Sequence, residues 1–173
     1  MRPRLMLFAL GFLLSASGAA AQVRLVEAGI VCPRISSGDL VPAPGTEAGF
    51  IRRIEEGTGF DLDARDVPTM DNLSFGFRTA LEDGIAEPRE VTIVVTHPPM
   101  GPRRVTREEW PDTILPDTTN LNLFTFEHEY EKITGPWTFA VEIDGTPVVT
   151  IAFEVTEAGG RGEVEAACFR FMS

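Results

Sequence analysis

Few residues of this chain could do chemistry. His97 and His128 are its two histidines, Cys32 and Cys168 its two cysteines, and Lys132 its one lysine. A zinc site takes three or four Cys, His or carboxylate ligands. His128 stands between Glu127 and Glu129, with Glu131 beyond. In a strand those three glutamates share one face and His128 takes the other, so the local cluster does not converge and no metal site is expected. Asp61, Asp63 and Asp66 lack the glycine and terminal glutamate of a calcium loop. The acid pairs Glu108-Glu109 and Asp61 with Asp63 would become acid and base only in a cleft that drives their pKa values apart; as sequence they read as solvated charge. There is no G-x-S-x-G, no lysine-bearing phosphate loop and no dinucleotide fingerprint. No catalytic residue and no cofactor site is assigned, and an enzyme is not expected.

Residues suited to recognition remain. Trp137 alternates with Phe139 and reads as core. Trp110, beside Pro111 in a charged segment, is expected at the surface as a contact residue, since aromatic side chains concentrate at interfaces. His97 precedes Pro98-Pro99, which marks a strand exit; turn geometry accounts for that position, and loop residues also carry function. His97, Arg103, Arg104 and Trp110 form the candidate binding surface, on the loops His97–Arg104 and Trp110–Asn120.

The N-terminus has the three parts of a secretory signal. Arg2 and Arg4 are its charged region, Leu5 to Ala16 its apolar region, and Ala19-Ala20-Ala21 its small-residue cleavage site. The apolar run is shorter than the roughly 20 residues that cross a bilayer as a helix. Residues 1–21 are therefore expected to be removed, leaving 22–173 as one domain without stable membrane insertion, in the periplasm or secreted. Of the 15 basic residues two lie in the signal, which has no acidic one. The remainder carries 13 basic against 26 acidic residues, a net −13. Phosphate backbones and anionic lipids call for positive charge, so nucleic acid and acidic membranes are not expected partners.

In an oxidising compartment an even pair of cysteines is most simply a disulfide. Cys32–Cys168 would tie the first segment to the last; the alternatives are a reactive thiol or a metal ligand. Neither cysteine has a CxxC partner or a histidine nearby in sequence.

The elements that must position these residues read as strands. Helical periodicity is nearly absent, and short runs of Val, Ile, Thr and Phe alternate with clusters of Pro, Gly and Asp. Strands are expected at Val23–Val31, an edge; at Leu73–Leu81; at Glu90–Thr96, apolar on both faces and so central; and at Arg103–Trp110, a charged edge that resists aggregation. Further strands are expected at Leu121–Glu131, at Gly162–Phe171, and in a hairpin over Trp137–Val155. Ser36–Thr46 is expected as loop, and Gly49–Asp66 is ambiguous. Cross-strand partners share a face, so the hairpin must pair odd positions with odd. A three-residue loop, Ile143-Asp144-Gly145, would do this and set Trp137 opposite Ile151 and Phe139 opposite Val149. The sum is an all-β, two-sheet antiparallel sandwich.

Gly135-Pro136-Trp137-Thr138-Phe139, Asp144-Gly145 and Phe153-Glu154-Val155 resemble the closing hairpin of bacterial immunoglobulin-like domains. Together with Phe75-Gly76-Phe77, His97-Pro98-Pro99, Phe126-Glu127 and Tyr130-Glu131, they are similar to a family of exported proteobacterial proteins known as a domain of unknown function. The resemblance covers about Leu73 to Val155. It implies a sandwich that is immunoglobulin-like in the broad sense and brings no activity. The immunoglobulin disulfide has no match, because no cysteine lies in the strands around Phe75 or Phe139. The expected function is a non-catalytic binding or assembly module of the bacterial cell envelope, recognising a protein through loops or a sheet edge. The alternative is a binder of a small ligand, a sugar or a metal ion.

Overall fold

Strict alternation builds the centre of the molecule. Phe75 and Phe77, two residues apart, turn inward with no exposed surface, and Trp137, Phe139 and Val141 do the same from a facing strand. The computed structural model describes residues 22–35, 37–54, 57–159 and 162–171; the expected signal segment, 1–21, lies outside the described residues.

Ten strands are named among them: β1 (Val23–Val31), β2 (Leu40–Pro42), β3 (Phe50–Arg52), β4 (Asp66–Pro68), β5 (Ser74–Leu81), β6 (Arg89–Met100), β7 (Val105–Ile114), β8 (Asn120–Thr125), β9 (Gly135–Ile143) and β10 (Thr146–Thr156). One sheet has the order β1-β5-β8 and the other β4-β10-β9-β6-β7, while β2 and β3 form a small ribbon. Only β4 runs parallel to its neighbour, β10; the other pairs are antiparallel. The all-β sandwich expected from the sequence is present. An immunoglobulin sandwich sets strands A, B and E in one sheet and G, F, C and C′ in the other. The orders β1-β5-β8 and β10-β9-β6-β7 reproduce those neighbours.

The core lies between the sheets. Phe75 touches the rings of Phe124, Phe126, Trp137, Phe139 and Phe153, with centroids 5.3–5.9 Å apart. Trp137 also satisfies its indole N–H on the Ile133 carbonyl at 3.0 Å, as a buried tryptophan should.

The expected edges are edges. β7 closes one side of the five-stranded sheet, and Glu109 N–H donates to the Gly45 carbonyl. β1 closes the three-stranded sheet, with a bulge after Leu25 and its end covered through an Ile30–Leu62 bridge. Both features blunt an edge against strand addition. β6 is central, between β9 and β7.

Leu40–Pro42, inside the expected loop Ser36–Thr46, forms β2, and three further expectations are corrected. The hairpin turn is the two residues Asp144-Gly145, both at positive φ (51° and 74°), the geometry of a type I′ turn. Ile143 therefore pairs with Thr146. The extra residue falls in β10, where the register shifts between Pro147 and Val149, and this bulge restores odd-with-odd pairing. Trp137 faces Phe153 and Phe139 faces Ile151, each two residues from its expected partner. Parity was legible; where the extra residue sits was not, because a type I′ turn matches the strand twist better than a three-residue loop.

Gly162–Phe171 is not a strand: Glu163–Phe171 forms α1. Ala167 and Cys168 are buried and Val164 packs on the core, an i, i+3, i+4 stripe. The Glu165 carboxylate accepts the N–H groups of Gly159 and Gly162, at 2.8 and 2.9 Å, and so caps the helix start. The third correction is the strand Leu121–Glu131, which ends at Thr125 and gives way to a 3-10 turn at Glu129–Glu131. The Glu131 carboxylate folds back to accept from Glu127 and His128 N–H, both at 2.7 Å.

Candidate functional site

β6 and β7 join at one end of the sandwich. β6 does not stop at His97, as expected, but runs on through Pro98-Pro99 to Met100. Its register against β7 shifts between Thr96 and Met100, and such irregularities accommodate proline in a sheet. The turn Gly101–Arg104 follows, with φ of 68° at Gly101 and 54° at Arg104.

β7 alternates, and its parity puts Glu108 and Trp110 on the inward face. Glu108 is thus a carboxylate where the pattern calls for an apolar residue. Its Oε1 accepts the Glu47 N–H, and its Oε2 lies 4.0 Å from His97 Nε2. The His97 ring packs against Trp137, centroids 4.5 Å apart, and its Nδ1 meets the Pro98 carbonyl at 2.8 Å. Glu47, in turn, holds the hairpin turn. Its two carboxylate oxygens accept Arg103 N–H at 3.2 Å and Arg103 Nε at 3.1 Å, while Arg103 Nη2 donates to the Thr46 carbonyl. A chain of contacts therefore runs from the buried His97, through Glu108 and Glu47, to Arg103 at the surface. Burial pushes the Glu108 carboxyl above the usual carboxylate range, against the Glu47 N–H and the nearby His97. Burial also raises the Glu131 carboxyl, against the two N–H groups it accepts. The Tyr130 hydroxyl is raised by burial first, and then by the charges of Glu131, Glu47 and Glu108.

The candidate surface residues divide. Arg103 is half exposed and anchored, and Arg104 is exposed at the turn. His97 is enclosed, its side chain 0 % exposed. Trp110 is corrected: at 8 % exposure it belongs to the core cluster, because period-two alternation outweighs the charge of its neighbours. The loops chosen as one surface also lie at opposite ends of β7, a ten-residue strand that at ~3.3 Å per residue spans about 30 Å. At the far end Asp112 accepts the side-chain amides of Asn120 and Asn122, at 3.1 and 3.5 Å.

The remaining acids disperse. Glu127 pairs with Arg52, Glu129 with Lys132, and Glu131 turns to the backbone. Lys132 also pairs with Asp71. Asp61 accepts Cys32 N–H and pairs with Arg34, whereas Asp63 pairs with Arg65. His128 stacks on Tyr130, centroids 5.1 Å apart. Among the described residues no group of three or more His, Cys, Asp or Glu is placed to hold a metal ion.

Glu47 was not singled out in the sequence, and Glu108, read there with Glu109 as solvated charge, is buried. Parity with a core Trp110 would have turned Glu108 inward. Glu47 carries no comparable signal, since its contact with Glu108 joins positions 61 apart.

Cys32 and Cys168 form the expected disulfide, with Cα atoms 5.2 Å apart and both residues buried. It fits an oxidising compartment. Among the described residues no helix is long and apolar enough to cross a membrane.

Comparison with known proteins adds a family and little else. No curated protein matches the chain. An immunoglobulin-like protein from Pseudomonas aeruginosa, of known structure, is similar at 18 % identity over 80 % of this chain and 100 % of that one, with a TM-score of 0.49. A β-glucosidase from Listeria innocua, solved in complex with glucose, is 13 % identical over 53 % of this chain and 15 % of that one, with a TM-score of 0.32. Residues 19–155 match a family described as a domain of unknown function, DUF3859, a longer stretch than the one that first suggested it. α1 and Cys168 lie beyond the match. The chain belongs to the DUF3859 family.

Proposed function

We propose that this protein is a non-catalytic recognition module exported to the bacterial envelope, and that it binds a protein partner through the β6–β7 turn. One observation carries the reading. Arg103 and Arg104 are displayed on a turn whose backbone and guanidinium are pinned from below by Glu47, in a chain of net charge −11. With Arg103 paired to Glu47, the tip presents the positive charge of Arg104 on an acidic body, which suits an acidic group on a partner, where charge complementarity sets orientation and association rate. Pinning reduces the ordering cost of binding. The blunted β1 and β7 edges are poor sites for strand addition. The reading of export rests on the three-part N-terminal segment and on a disulfide that suits an oxidising compartment.

The small-ligand alternative draws less support. Trp110 is buried and offers no aromatic platform for a sugar. A depression of about 620 Å³ near Arg24, Glu82 and Asp117 is lined by no aromatic residue.

The test is capture of a partner from envelope extract by the oxidised protein, in parallel with an Arg103→Glu/Arg104→Glu variant of equal melting temperature. Retention of one envelope protein by the parent alone, weakening with salt, is the expected result. Equal retention by both would place recognition elsewhere. Fractionation of the producing cells tests export: recovery in the cytoplasm with residues 1–21 attached would remove that part.

A further inference from the structure

His97 and Glu108 pose a problem of lone pairs. His97 Nδ1 is 2.8 Å from the Pro98 carbonyl oxygen. A carbonyl only accepts, so Nδ1 carries a hydrogen. Nε2, on the other side of the ring, is buried and has no hydrogen-bond partner among the described residues. It lies 4.0 Å from Glu108 Oε2, and the two side chains are 0 % and 5 % exposed. The second Glu108 oxygen is engaged by the Glu47 N–H. A neutral imidazole beside an ionised carboxylate would set a bare nitrogen lone pair against a negative oxygen, away from water. Burying unmatched polar and charged groups is costly. One proton between the two atoms removes the conflict, whether it rests on the nitrogen or on the oxygen.

We propose that His97 and Glu108 jointly hold one proton in the folded protein at neutral pH, forming a buried proton-binding site beneath the β6–β7 turn. The groups facing the pair come from three elements. Glu47 approaches from the segment before β3 and Arg103 from the turn, and Tyr130 of the 3-10 turn lies within electrostatic reach of Glu108. Arg103 neutralises Glu47. The Trp137 ring seals the imidazole from β9. Burial of Glu108 works in the same direction, since it favours the protonated carboxyl.

Folding then takes up a proton. In the unfolded chain a histidine is neutral above about pH 6.5 and a carboxyl is ionised above about pH 4.3. Above the histidine range the folded pair keeps a proton that the unfolded chain has released. The folded state is therefore favoured less as pH rises, by up to about tenfold in the folding constant per pH unit for one proton. The site exists whether or not the turn binds a partner, and its test needs none.

Nuclear magnetic resonance of the oxidised protein at pH 7.5 reads the proton directly. The expected spectrum shows either His97 Nε2 protonated or the Glu108 carboxyl carbon in its acid form. A bare Nε2 together with an ionised Glu108, as a bridging water would leave them, overturns the proposal. Glu108→Gln supplies a second reading. Its amide oxygen can accept the Glu47 N–H and its amide nitrogen can donate to Nε2, so the variant should fold and lose the fall in stability between pH 7 and 8.5. An unchanged fall would also overturn the proposal, and if the variant does not fold the spectrum decides.

Discussion

The ring of Phe75 meets the ring of Phe139 edge-on, with centroids 5.5 Å apart and planes at 82°. The contact joins β5 to β9, the positions of the B and F strands that a disulfide links in antibody domains. Here aromatic packing bridges the sheets. Phe75→Ala removes the one ring that touches all the others in this cluster. It is expected to cost ~3–5 kcal/mol, read as a lowered urea midpoint with an unchanged slope.

Trp110→Ala should behave as a core substitution. Because Trp110 is buried against the cluster, its loss is expected to cost ~3–5 kcal/mol, measured by urea unfolding. Loss of a partner with full stability retained would instead return Trp110 to the surface.

Free-thiol titration of the denatured, unreduced protein should find no thiol. The disulfide closes a separation of 136 residues, for which the chain-entropy relation gives roughly 5 kcal/mol as an upper figure. A Cys32→Ser/Cys168→Ser variant should unfold at lower urea concentration. Hydrogen exchange should show α1 losing protection before β5 and β9, since the helix packs mainly on the short β4.

The Glu131 carboxyl is raised by burial. Below the ordinary carboxyl range both folded and unfolded states hold its proton. As pH rises through that range the unfolded state releases the proton first, so this group's contribution to stability falls until the folded carboxyl ionises. Glu131→Gln keeps an oxygen for the Glu127 and His128 N–H groups and removes the titration. The urea midpoint of the variant should change less as pH rises from 4 to 7 than that of the parent, and an equal change would contradict the assignment.

Gly145 stands at φ 74° as the second residue of the Asp144-Gly145 turn. Gly145→Ala should destabilise by ~1 kcal/mol through left-handed strain, visible as a drop in melting temperature. A rise would mean that the turn is not of type I′ in solution.

Alternation and punctuation carried most of the strands, because a half-buried strand must repeat every two residues. The same rule, applied to β7, would have turned Trp110 inward. Charge and proline beside it pointed outward, and packing won. α1 was missed for a related reason. Its stripe of Val164, Ala167 and Cys168 is short, and its cap is a glutamate that folds back on Gly159 and Gly162. Neither stands out from a strand in a nine-residue window.

From residue types alone came the all-β class, the cysteine pairing, the odd-with-odd parity of the β9–β10 hairpin and the absence of a recognised catalytic motif. These are local or compositional properties, fixed by side-chain period, cysteine count and motif spacing. Tertiary structure alone decided that Glu47, Glu108, His97 and Arg103 form one connected chain. Glu47 and Glu108 are 61 positions apart, and only sheet pairing with the fold-back of the segment before β3 brings them together. A buried carboxylate facing an imidazole is a property of that enclosure: withdrawal from water makes the missing partner costly, and no residue pattern records which groups will be withdrawn together.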